Sequence, residues 1–157
     1  MNATVIAAIL MVGSSVGMRT FTAAAVIAWA AHLGCINLDS TGLSFMSSAI
    51  AVGFVTLAAL FEYVVDVLPM TPARTTAPQL SGRFVLGTFS AACLLAAAGV
   101  GLLFCVIGGL AAIGSAFAGY YLRTGIVRSL GTRDAFVAVT EDLVSIGLAL
   151  AAIWMIR

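Results

Sequence analysis

Arg19, Glu62, Asp66, Arg83, Arg123, Glu141 and Asp142 are the residues of this 157-residue sequence with most chemical potential, because each lies within or at the edge of a long apolar run. An ionised Arg or Asp at the centre of a bilayer costs about 2.5–3.5 kcal/mol on insertion scales, so such groups are expected to meet each other or water at depth. Glu62 and Asp66 are four apart and share one helical face. Glu141 and Asp142 are adjacent, and with the first pair they form a candidate carboxylate layer for a cation or an exchanging proton. Arg83 and Arg123 fall at the same level. Arg19 is the deepest of the set, a candidate gate or a donor fork for an anionic group. Ser15 and Thr22 share its helical face, and Gly17 just before it would let the helix loosen and present backbone amides.

Other chemistries have thinner support. His32 is the single histidine, and it sits beside Trp29 near a helix end, where it reads as a bystander. Cys35, Cys93 and Cys105 are odd in number and lack metal-ligand spacing, so they read as small hydrophobes. No HExxH, phosphate-binding Gly loop or Ser/His/Asp set is present, and no cofactor is expected. An intramembrane enzyme that holds a divalent metal through Glu141 and Asp142, or through Glu62 and Asp66, is a competing reading, and the metal question stays open.

These residues must be positioned by helices in lipid. The sequence is 62% apolar and 8% charged, with seven basic and six acidic residues, every basic one Arg. Soluble domains carry about a quarter charged residues, so a water-soluble globule is excluded, and nucleic acid is an unexpected partner at a net charge of +1. Apolar segments of about 20 residues without period-two alternation read as membrane helices, not barrel strands. The first runs over about 4–31 and the second over 43–68. A loop with Pro69, Pro72 and Pro78 follows. Phe84 to Leu122 is uncharged. As one helix it would reach roughly 58 Å, about twice a ~30 Å hydrocarbon core, so it must fold back. Gly99, Gly101, Gly108 and Gly109 surround the expected turn, placed within about 104–109, giving helices over 83–104 and 108–127, and a last one over 134–156 after a loop with Arg128, Gly131 and Arg133. The expectation is an all-α polytopic membrane bundle of about five helices in a single domain. Five spans place Arg74, Arg83, Arg128 and Arg133 on the N-terminal side and only Arg157 opposite, which predicts a cytoplasmic N-terminus.

Helices in lipid associate through close backbone approach. Gly13 and Gly17 form a GxxxG on the first helix, and Ala111, Ser115 and Gly119 continue a small-residue stripe on the fourth. Val12-Gly13-Ser14-Ser15 beside Ile113-Gly114-Ser115-Ala116 reads as a weak inverted repeat, an architecture common in transporters. The small-residue faces also predict self-association into a homodimer or higher oligomer.

Taken together, Gly17-Met18-Arg19-Thr20, Glu62 with Asp66 and Pro69, Arg83 followed by Gly87, Gly108-Gly109, and Thr140-Glu141-Asp142 resemble a family of small bacterial integral membrane proteins catalogued as domain of unknown function 4126. The likeness covers roughly Val12 to Ala149. It departs from the family in the loop Thr71 to Gln79, which is less basic and aromatic than usual there, and near Arg123. It implies a multispanning protein of a bacterial inner membrane with these residues as its polar core, and no activity. The residues themselves point to a small transporter or channel for an ion or small polar solute. The competing expectation is a structural or assembly subunit whose buried charges only tie helices together.

Overall fold

A computed structural model describes residues 2–66, 75–130 and 134–157, with only the helical backbone described for 127–130 and 134–136. Pro69, Pro72, Arg74, Gly131 and Arg133 lie outside the described residues, as does the side chain of Arg128. The fold is all-helical. The described residues form six α-helices, α1 (Ala3–Met18), α2 (Thr22–His32), α3 (Ala49–Val65), α4 (Ala77–Ala97), α5 (Val106–Leu130) and α6 (Asp134–Ile156). Short 3-10 turns, Ser44–Ser47 and Leu102–Cys105, lead into α3 and α5.

Local sequence sets several helix ends. The Asn2 side chain accepts from the Val5 amide (3.0 Å) to start α1, and the Ser48 hydroxyl accepts from the Ala51 amide (3.1 Å) to start α3. Pro78 lies in the first turn of α4, where its missing N–H costs nothing. The helix therefore begins before residue 83 and takes up a proline expected in the loop.

Two boundaries differ from expectation. The segment over 4–31 is two helices, because Arg19 is extended (φ −136°, ψ 112°) and α2 restarts at Thr22. The reversal between α4 and α5 falls at Ala98–Gly101, ahead of Gly108 and Gly109. Gly99 has φ +65° there, a conformation that only glycine adopts cheaply. Gly108 and Gly109 are free to serve packing instead.

Helix α1 is the centre of the bundle, packed on α4, α5 and α6, with α4 against α5. A Cβ on Gly13 would collide with the Gly108 carbonyl, and one on Gly17 with Ser115 and the Ala112 carbonyl. Gly87 of α4 is similarly tight, with a Cβ there 2.8 Å from both Ala112 Cβ and the Gly108 carbonyl. Glycine thus lets three backbones touch, where dispersion and polar contacts replace the absent hydrophobic drive. Hydroxyls add to this. Ser115 donates to the Ser14 carbonyl (2.9 Å), while of the fully buried Ser15 and Ser145, Ser15 Oγ donates to the Ser145 carbonyl (2.8 Å) and Ser145 Oγ donates back to Ser15, whose hydroxyl (3.0 Å) and carbonyl (3.2 Å) oxygens are both in reach.

Helices α2 and α3 pair as a hairpin with hydrogen bonds at successive levels. Trp29 Nε1 donates to Thr56 Oγ1 (3.1 Å), His32 Nδ1 bonds the Ser47 carbonyl (2.8 Å), and Thr22 Oγ1 shares a bond with Tyr63 Oη (2.8 Å). His32 is thus a hairpin tie. The outer face of α3 exposes Ile50, Phe54, Leu57, Phe61 and Val64.

Among the described residues, three helices are long and apolar enough to cross a membrane: Ala77–Ala97, Leu102–Ile126 and Val137–Ile156. Helices α1, α2 and α3 are apolar but shorter.

Candidate functional site: a charged cluster at a helix break

The break between α1 and α2 organises the charged residues. A helix leaves its last carbonyls and first amides without internal partners, with a partial negative charge at the first end and a partial positive charge at the second. Inside an apolar bundle these groups need partners, and here other helices supply them. Glu62 of α3 accepts from the amides of Thr20 (2.7 Å) and Phe21 (2.9 Å), one carboxylate oxygen to each. Arg83 of α4, itself buried, donates through Nη1 to the Gly17 carbonyl at the end of α1. An anion thus meets the start of α2 and a cation the end of α1. Both contacts have the sign that the helix dipoles favour.

Arg19 occupies the break. Its side chain is 1% exposed, and it spans two helices: Nη1 pairs with Asp66 Oδ2 at the end of α3, and Nε with Asp142 Oδ1 of α6. The guanidinium also lies 5.3 Å from the ring centre of Tyr63, a cation–π contact that covers its face. The two acids are less enclosed than the base, at 13% for Asp66 and 26% for Asp142. Extended backbone at Arg19 lets its side chain leave the line of α1 and reach both carboxylates.

Arg123 of α5 pairs with Glu141 Oε2 of α6 at 3.4 Å, both largely enclosed. Gly119, one turn before Arg123, lies beside that carboxylate, and a Cβ there would make an ordinary contact with Glu141 Oε1 at 3.5 Å. The adjacent acids of α6 therefore serve different bases, Glu141 joining α5 and Asp142 joining the break.

Of the seven charged residues singled out from sequence, Arg19, Glu62, Asp66 and Asp142 meet at the break and Arg83 reaches it through the Gly17 carbonyl. Arg123 and Glu141 form a second pair. Of the small-residue stripe, Ala111 meets Gly13 and Ser115 meets Gly17, while Gly119 faces Glu141. Tyr63 was missed. Its spacing one residue after Glu62 was the available signal, but an aromatic in an apolar helix reads as core. Among the described residues no group of three or more His, Cys, Asp or Glu is arranged to hold a metal ion.

Fold and site together define an all-helical protein with helices of membrane-spanning length and a buried charge cluster at an interrupted helix. Residues 6–155 match the family described as Domain of unknown function (DUF4126), so the chain belongs to that family. No curated protein and no solved structure matches it.

Proposed function

We propose that this protein is a small transporter or channel for an ion or small polar solute, set in a bacterial cytoplasmic membrane with its N-terminus cytoplasmic. The observation that carries the reading is the helix interrupted at Arg19, with ionised side chains from α3 and α4 on its two open ends. Discontinuous helices whose termini face charge are how many transporters place a solute site inside lipid. Asp66 and Asp142 keep surface open while Arg19 is sealed, so carboxylates are what an entering solute meets. This favours a cation or a proton. Under this reading Arg19 is the gate, holding Asp66 and Asp142 together until a cation competes for them, and Glu141 with Arg123 is a second polar station.

A structural or assembly subunit is the second reading, favoured by the completeness of Arg19's pairing. Proton, sodium and potassium flux into vesicles of purified protein separates the two. Arg19→Lys and Asp142→Asn variants that elute as the native species are expected to change flux. If the native protein carries none of these ions above the protein-free leak, the reading as a cation or proton pathway fails.

A further inference from the structure

A cavity of about 530 Å³ lies between the α2–α3 hairpin and α4. Phe21 and Met46 line it from the hairpin side, Ala51 from the start of α3, and Leu86 and Phe89 from α4. Phe45 and Phe89, with ring centres 6.2 Å apart, bridge the two sides. Ser48 is the polar residue of the lining, and its hydroxyl already accepts from the Ala51 amide. A buried water needs two to four polar partners, which this lining does not offer, so the cavity excludes water.

Its mouth names the occupant. Ile50 and Phe54 belong both to the lining and to the exposed apolar face of α3, which continues through Leu57, Phe61 and Val64. A face so apolar, on a chain with helices of spanning length, looks onto hydrocarbon. We propose that the cavity is a binding site for one acyl chain of a membrane lipid, which enters from the bilayer past Ile50 and Phe54 and lies between the hairpin and α4. Phe21, whose amide is held by Glu62, is part of the lining, so an occupied site braces the start of α2 against α4. The proposal is independent of what solute, if any, the charged cluster handles.

The native protein in vesicles of phosphatidylethanolamine and phosphatidylglycerol, doped with a phospholipid carrying a diazirine midway along one acyl chain, provides the test. After irradiation, adducts are mapped by mass spectrometry. They are expected on Leu86 and Phe89, which line the cavity from α4, and on Met46, which lines it from the hairpin side and is almost fully buried. Ala51→Trp is expected to abolish these adducts while those on Leu143 and Leu150, on the exposed face of α6, persist. Adducts on Leu143, Leu150 and the outer face of α3, with none on Met46 or Phe89 in the native protein, would overturn the proposal whether or not the variant folds.

Discussion

Glu62 and Arg83 hold the two ends of one interruption: the carboxylate of α3 binds the amides that open α2, and the guanidinium of α4 binds a carbonyl that closes α1. An unbroken helix from α1 through α2 would satisfy these backbone groups internally, so both residues stabilise the broken form against the continuous one. Their charges match the local helix dipoles. Arg19 is thereby freed from helical geometry to join α3 to α6.

Glu62→Gln keeps the size of the side chain but leaves one good acceptor for two amides and removes the charge. The expected loss is about 1–2 kcal/mol, in line with charges at partly buried helix termini. Glu62→Ala leaves both amides without an acceptor and costs more, about 1–3 kcal/mol for each unsatisfied amide. Hydrogen exchange at Thr20 and Phe21 in bilayers checks this, with the order of protection native, then Gln, then Ala.

Arg19→Ala removes the shared partner of Asp66 and Asp142. Breaking a buried pair typically costs about 3–5 kcal/mol, and the residual exposure of the acids places this case near the lower end. Adding Asp66→Asn and Asp142→Asn to Arg19→Ala removes the unpaired charges and is expected to recover part of the loss. Unfolding of the three proteins in mixed micelles with increasing dodecyl sulfate gives the comparison.

Gly17→Leu places a side chain where α1 and α5 already touch, and the native packing of those helices is expected to fail. Gly114→Ala in α5 meets nothing within 4 Å and is expected to leave stability unchanged or slightly raised. The contrast separates packing glycines from incidental ones, and thermal unfolding in detergent reads it directly.

Ser15 and Ser145 exchange reciprocal hydrogen bonds in a fully buried contact, yet their coupling should be small. Interhelical hydrogen bonds in membranes average about 0.6 kcal/mol in double-mutant cycles. A cycle of Ser15→Ala and Ser145→Ala is expected near that value, well below the effect of Arg19→Ala.

That buried charges need partners was legible because hydrocarbon penalises isolated ions, but their grouping was not: Arg19, read as deeper than the carboxylate layer, pairs with Asp66 and Asp142, and Arg123 with Glu141 stands apart as a second pair. Gly13 and Gly17 were legible as a contact face for the same reason, since only close approach holds helices together in lipid. The break at Arg19 was only partly readable. Gly17 hinted at loosening, but Arg19-Thr20-Phe21 contains neither Gly nor Pro, and what holds the chain open there is Glu62 and Arg83, far away in sequence. The α4–α5 turn was misplaced because glycine serves turns and close packing alike. Gly108 packs against α4 and α1, and the turn belongs to Gly99 with its positive φ.

The most direct measurement is carbon–nitrogen distance determination by solid-state NMR on the protein in lipid bilayers, with labels on the Arg19 guanidinium nitrogens and the aspartate carboxyl carbons. Strong dipolar couplings from Arg19 to both Asp66 and Asp142 are expected, each lost on its own when the corresponding aspartate is replaced by asparagine. A guanidinium coupled to neither carboxylate, or a continuous helical backbone through residues 18–22, would contradict the interrupted helix on which the account rests.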